Sequence, residues 1–170
     1  LPKELNKLHA DTRVMMPFHR QIKDKYAAQT KHMADFYIHF AGRDVYVGVE
    51  GLFFNDVTYY FIDNEEYFGD AVYRGGDAEG EQYAYFCRAV IEAAGRIGFL
   101  PDVLHCNDWQ TALVPIYLSD DAVRWDVLRS IRTVFTVHNI EYQGRYGRET
   151  LEDLFGLPCG WFDGGTLAFS

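Results

Sequence analysis

The sequence predicts an α/β domain in which most strands run parallel between helices and an antiparallel hairpin segment is inserted. Helical and strand-like apolar patterns alternate over much of the chain, which is the signature of packed α/β units. Two short apolar runs, 103–106 and 133–137, lie one helix apart, and each ends abruptly in polar residues. Between Met33 and Ile62 the apolar period switches to two and stays there, as in an antiparallel strand pair with one face buried.

Taken in order, Leu1, Leu5 and Leu8 stand at helical spacing, so residues 1–9 read as the last turns of a helix. Residues 13–16 form a short apolar strand closed by Pro17, and 18–29 are polar and basic, suited to an exposed turn or short helix. Phe36, Ile38 and Phe40 then alternate with Tyr37 and His39, and Val45, Val47 and Val49 alternate with Tyr46 and Gly48. Asn55-Asp56 between two apolar runs suits a two-residue hairpin turn. Residues 63–80 are acidic, aromatic and glycine-rich and read as a loop.

The strongest helix is 81–97, with Tyr83, Phe86, Val90, Ala93 and Ile97 on one face and Gly98 as its stop. The strand at 103–106 follows, then a helix over about 109–118, an acidic linker at 119–121 and the strand at 133–137. This last run is unbroken β-branched and aromatic residues, the pattern of a strand buried on both faces. Strand, helix and strand make a right-handed βαβ crossover. It brings both strand-end loops to one edge and so sets Asp108 near His138. A short helix at 149–155 follows, and an apolar segment begins within 164–170. Both termini read as cuts within a longer protein.

A chain of 170 residues, 48% hydrophobic, can bury an ordinary core. Its net charge of −9 argues against general affinity for nucleic acid or anionic membrane. No apolar run approaches the roughly 18 residues of a spanning helix, and no secretory signal is visible. Cys87, Cys106 and Cys159 show no zinc or redox spacing, so reduced thiols and a cytoplasmic location are expected. There is no dinucleotide fingerprint, phosphate loop, zinc-protease motif or nucleophile elbow. Glu65, Glu66 and Asp70 lack the spacing of a metal loop.

Ligands of open parallel sheets bind beyond the carboxyl ends of the strands, and His138-Asn139 stands at such an end. Imidazole exchanges protons near neutral pH and Asn serves hydroxyls as donor and acceptor. A structural histidine bonded to a neighbouring loop fits equally well. In Asn107-Asp108-Trp109-Gln110 the acid or amide suits a helix N-cap and Trp109 suits a core. A cap at that place would also fix a carboxylate at a cleft edge. Tyr142-Gln143-Gly144 suits either a sugar contact or a solvated loop.

Longer stretches carry a resemblance. Pro101-Asp102-Val103-Leu104-His105-Cys106-Asn107-Asp108-Trp109-Gln110 and Thr136-Val137-His138-Asn139-Ile140-Glu141-Tyr142-Gln143-Gly144 resemble two signature segments of the bacterial glycogen synthase and plant starch synthase family. The strand Thr58-Tyr59-Tyr60-Phe61-Ile62-Asp63-Asn64, the helix from Gly80 to Ala89 and Val14-Met15-Met16-Pro17 extend it over essentially the whole chain. Gln110 stands where many relatives have His, and Gln82 where they have Arg.

The resemblance implies the acceptor-side, N-terminal half of a GT-B glycosyltransferase, whose two domains are Rossmann-like. It implies retaining transfer of glucose from ADP-glucose to the non-reducing end of an α-1,4-glucan, with no cofactor or metal beyond the donor substrate. His138 becomes the catalytic residue beside the transferred glucose. Asn139, Asp108, Trp109, Gln110, Tyr142, Gln143 and Gly144 become substrate-binding residues. The family's first strand with its KTGGL loop is expected just upstream of Leu1, and a donor-binding C-terminal domain downstream. These residues alone are therefore expected to transfer no glucose. A stand-alone glucan-binding or regulatory module without catalysis is the alternative. The location is the bacterial cytosol, or the plastid in a plant.

Overall fold

The computed structural model describes residues 1–121 and 126–163. Helix α1 spans Pro2–Lys7, strand β1 Arg13–Pro17 and helix α2 Arg20–Tyr26. Strands β2 (Lys31–Phe40), β3 (Arg43–Phe54) and β4 (Val57–Asp63) follow as a meander. Helix α3 covers Glu65–Phe68 and the long α4 Gly76–Arg96. Strand β5 (Val103–Asn107), helix α5 (Val114–Asp121), strand β6 (Arg132–Thr136) and helix α6 (Thr150–Asp153) are the remaining strands and α-helices among the described residues. The α/β class expected from the sequence is what the chain adopts.

One sheet has the order β1-β4-β3-β2. β1 runs parallel to β4, with Met15 opposite Tyr60, while β3 is antiparallel to both β4 and β2. The hairpin strands thus join the sheet of β1. The second sheet is the parallel pair β5-β6, with Asn107 opposite Thr136. Among the described residues β1 and β5 are each paired on one side. Both line a groove of about 890 Å³, with Val14, Met15, Leu104 and Cys106 in its wall and Phe86 and Val90 of α4 beneath.

Local chemistry accounts for these elements. Asn55 (φ 50°) and Asp56 (φ 62°) both take the left-handed conformation, as the tight turn between β3 and β4 requires. Phe36, Ile38, Phe40, Val45, Val47 and Val49 face the core, and Val47 and Val49 are fully buried. Each such side chain contributes on the order of 1.5–3 kcal/mol. α4 packs against β2 and β4 of the first sheet and against α5 and the turn at 109–111. It buries Tyr83, Phe86, Val90 and Ala93 as the spacing predicts, but also Tyr85, Cys87, Ala89 and Ile91 on its other side. Gly98 (φ 70°) follows its end.

Four details depart from the sequence reading. The 63–80 stretch is not all loop. Asn64 caps α3 by accepting from the Glu66 and Tyr67 amides at 2.9 and 3.2 Å, and α4 already starts at Gly76. The acidic 119–121 stretch is the last turn of α5. The helix expected from about 109 is a 3-10 turn over Trp109–Thr111, with α5 starting at Val114. Most tellingly, β6 is not buried on both faces: Val134 is 47% and Phe135 44% exposed. Among the described residues β6 pairs with β5 alone, in a sheet of two strands. The apolar segment expected within 164–170 lies outside the described residues.

Candidate functional site

The parallel register of β5 and β6 brings the two polar strand ends together. Beyond the pair Asn107–Thr136, the Asp108 amide donates to the Thr136 carbonyl at 2.8 Å. The chain then turns, and the His138 amide donates to Asp108 Oδ1 at 2.6 Å. The expected proximity of Asp108 and His138 is therefore a direct hydrogen bond. Asp108 does not cap the turn after it. Thr111 Oγ1 instead donates to the Asn107 and Asp108 carbonyls at 3.0 and 3.1 Å. Asp108 sits at φ 58°, ψ 176°, a region natural to glycine that costs other residues roughly 1–3 kcal/mol. The carboxylate bridging the strand ends is what this strained backbone holds in place.

The same geometry fixes the imidazole. His138 Nε2 lies 3.0 Å from Asn107 Oδ1, and Asn107 Nδ2 donates to the His105 carbonyl at 3.2 Å. With the amide oriented by His105, its oxygen must accept, so His138 Nε2 carries a proton. Among the described residues Nδ1 has no hydrogen-bond partner, and His138 is exposed. Asn107 is the residue the sequence reading undervalued. It stood in the motif as a possible cap, and no one-dimensional signal shows that its side chain reaches across to the other strand.

Trp109 begins the wall of a cleft. Its indole packs edge-on to Tyr83, with ring centroids 5.4 Å apart, and tilted against Tyr146 at 6.0 Å. Gly144 (φ +56°) presses its backbone onto the indole so closely that a Cβ there would lie 2.2 Å from Trp109 Cε3. Gly80 of α4 similarly admits Tyr146, whose ring would stand 2.6 Å from a Cβ. The open cleft beside these rings has a volume of about 710 Å³. Trp109, Tyr142, Gln143, Gly144, Tyr146 and Glu79 are among its lining residues. Burial, reinforced by the charges of Glu79 and Asp77, pushes the Tyr146 phenol up to about 12. It is therefore a neutral hydroxyl.

The expected site residues thus divide into three groups. Asp108 and His138 meet at the strand ends beside Asn107. Trp109, Tyr142, Gln143 and Gly144 share the cleft, with Tyr142 69% exposed. Asn139 and Gln110 serve the backbone, and Gln143 does so as well as lining the cleft. Asn139 Oδ1 accepts from the Glu141 amide at 3.1 Å in a local turn. Gln143 Nε2 donates to the Ile140 carbonyl at 2.7 Å, and its oxygen accepts from Arg145. The Gln110 carbonyl accepts from the buried Cys87 thiol at 3.2 Å. Glu79 and Tyr146 were not expected, because their sequence neighbourhoods read as loop. Among the described residues, no group of three or more acidic, His or Cys side chains could hold a metal ion. No described helix is long and apolar enough to cross a membrane.

Comparison with known proteins finds relatives along the whole chain. A family model described as the starch synthase catalytic domain matches residues 1–170. A glycogen synthase of Ligilactobacillus salivarius is 42% identical over 170 residues, covering 99% of this chain and 36% of its own. A glycogen synthase of Geobacillus stearothermophilus is 43% identical over 169 residues, covering 99% and 35%. The chain thus spans about a third of the length of these relatives. Among solved structures, the catalytic domain of starch synthase IV from Arabidopsis thaliana, bound to ADP and acarbose, matches with a TM-score of 0.80. It is 25% identical and covers 95% of this chain and 33% of its own.

Proposed function

The chain belongs to the starch synthase catalytic domain family, and we propose that its site serves the acceptor side of a glycosyl transfer that builds an α-1,4-glucan. The donor in this reading is ADP-glucose, and anomeric configuration is retained. The observation that carries it is the Asp108–His138 bond beside the Trp109 cleft. That bond fixes a carboxylate and an imidazole at the strand ends, next to an aromatic wall suited to the apolar faces of sugar rings. The Arabidopsis relative, solved with ADP and the oligosaccharide acarbose, supports the same ligand classes.

In this reading His138 contacts the transferred glucose through Nδ1 and stabilises charge that develops as the glycosidic bond breaks. Asn107 orients the ring through Nε2. Asp108 holds the His138 backbone and offers its second oxygen to sugar hydroxyls. Trp109 and Tyr142 supply stacking surface. Gln143 and Asn139 shape the loop and meet substrate through their remaining polar atoms, and Gln110 borders the turn.

The donor's diphosphate is held by residues outside these 170, on an upstream glycine-rich loop and in a second domain. The groove between β1 and β5 supports the upstream part. Its two edges are five residues long, each is paired on one side among the described residues, and its wall is mainly apolar, as suits a further parallel strand.

The test is a chimera in which these residues replace the matching third of the Geobacillus stearothermophilus glycogen synthase. It should elongate maltooligosaccharides from ADP-glucose, while the 170-residue chain alone should not. His138→Ala in the chimera should lower turnover by on the order of a hundredfold. Near-unchanged turnover in that variant would refute the assignment.

A further inference from the structure

The outer face of the β2–β3 hairpin carries aromatic and charged groups that neither the core nor the cleft uses. Tyr37 and Tyr46 stand directly opposite each other in the ladder, with ring centroids 5.9 Å apart and planes at 72°. They are 66% and 40% exposed, while their neighbours Phe36, Ile38, Val45 and Val47 are buried on the inner face. Gly48 lies under Tyr46: a Cβ at Gly48 would come within 2.9 Å of the Tyr46 hydroxyl and 3.3 Å of its ring. The missing side chain lets the ring lie along the strand, and glycine within a strand marks such a close approach. The two rings therefore form a shelf, with Tyr46 as floor and Tyr37 as wall.

The rim is polar and its charges are matched. His32 bridges Asp35 and Glu50, with both contacts at 2.9 Å. Lys23 of α2 donates to Asp63 at 2.8 and 3.1 Å. The Asp35, Glu50 and Asp63 charges all act on the Tyr46 hydroxyl.

We propose that this shelf is a second carbohydrate site, separate from the Trp109 cleft, which holds a neutral α-glucan chain by stacking a pyranose ring on Tyr46 against Tyr37. The inference rests on reading the chain as a glucan-handling domain. A pyranose offers an apolar C–H face to an aromatic ring and hydroxyls to carboxylate oxygens, and the shelf supplies both at adjacent positions. Lys23 and His32, the cationic groups beside the floor, are already engaged by Asp63, Asp35 and Glu50 and so are not offered to a phosphate, which makes a nucleotide or nucleic acid the wrong occupant. The inner face of this sheet packs on α4, and the Trp109 cleft borders the same helix. A polymer held on the outer face would therefore be tethered without blocking the cleft, which raises the local concentration of chain ends.

The test is affinity electrophoresis of the 170-residue chain through gels containing glycogen, with maltoheptaose or ADP as competitor. The unaltered chain should be retarded, and maltoheptaose should release it while ADP should not. Tyr37→Ala with Tyr46→Ala should weaken the shelf's affinity by roughly tenfold. Replacing both tyrosines with Phe should restore most of it. Trp109→Ala should leave the shelf's share of the retardation in place. Unchanged thermal midpoints in the tyrosine variants would exclude unfolding as the cause. Retardation equal to that of the unaltered chain in the double Ala variant overturns the shelf, and so does the absence of retardation in the unaltered chain. Full loss on Trp109→Ala, with none in the tyrosine variant, would keep the cleft and remove the shelf. The opposite pattern would keep the shelf and remove the cleft.

Discussion

Asp108 pairs a backbone cost with a side-chain gain, and two substitutions separate them. Asp108→Ala removes the oxygen that accepts the His138 amide but leaves a Cβ at φ 58°. Asp108→Gly removes the same oxygen and also the strain. The lost bond lies in an exposed loop, so its worth is near the ordinary net value of about 0.5–1.5 kcal/mol. The strain is worth about 1–3 kcal/mol. Glycine's greater freedom in the unfolded chain takes back about 0.5–1 kcal/mol. The Gly variant should therefore be more stable than the Ala variant by about 1–2 kcal/mol. In a chain of this length that is a melting difference of roughly 2–8 °C.

Urea denaturation followed by tryptophan fluorescence measures the difference directly. Amide exchange at His138 supplies an independent readout, because both variants should exchange that hydrogen faster than the unaltered chain. An Ala variant as stable as the Gly variant would mean that the positive φ stores no more than the roughly 0.5–1 kcal/mol that glycine loses through its freedom in the unfolded chain. Unchanged His138 exchange in both would mean that the carboxylate does not hold the loop.

Two further outcomes follow from single positions. Gly144→Ala should destabilise by about 2–4 kcal/mol and shift the tryptophan emission. It places a Cβ in the left-handed region and drives it into the Trp109 indole, and equal stability would show that the loop does not rest on Trp109. His19 is 8% exposed, and its Nδ1 has no hydrogen-bond partner among the described residues. Burial, with the Arg74 charge added, lowers its pKa below the usual histidine value. The unfolded chain then binds the proton that the folded chain resists, so stability should fall as pH drops from about 6.5. Denaturation of the unaltered chain and of His19→Gln at pH 7.5 and 5.5 should show a smaller acid loss in the variant. An identical loss would place the acid sensitivity elsewhere.

Much of this protein was legible in one dimension, for identifiable reasons. Alternation of Phe36, Ile38 and Phe40 against Tyr37 and His39 names the buried face, because a strand's side chains must point to opposite sides. Asn55-Asp56 names its turn, because few residues accept two left-handed conformations in succession. The strand-end positions of Asp108 and His138 follow from the βαβ connection, which leaves both loops on one edge.

Tertiary structure decided the rest. The β-branched run of β6 promises burial on two faces, yet burial depends on what lies alongside, and the described chain sets only β5 beside it. The spacing of α4 shows one apolar face, but the helix packs on the first sheet and also on α5 and the turn at 109–111, and so buries its other side as well. Asp108 looks like a cap. Its backbone takes a conformation that the local sequence does not favour, and its carboxylate crosses to the His138 amide thirty residues away. Asn107 crosses from strand to strand as well, to the imidazole. Contacts between distant segments are set by the register of β5 against β6, and no local propensity encodes that register.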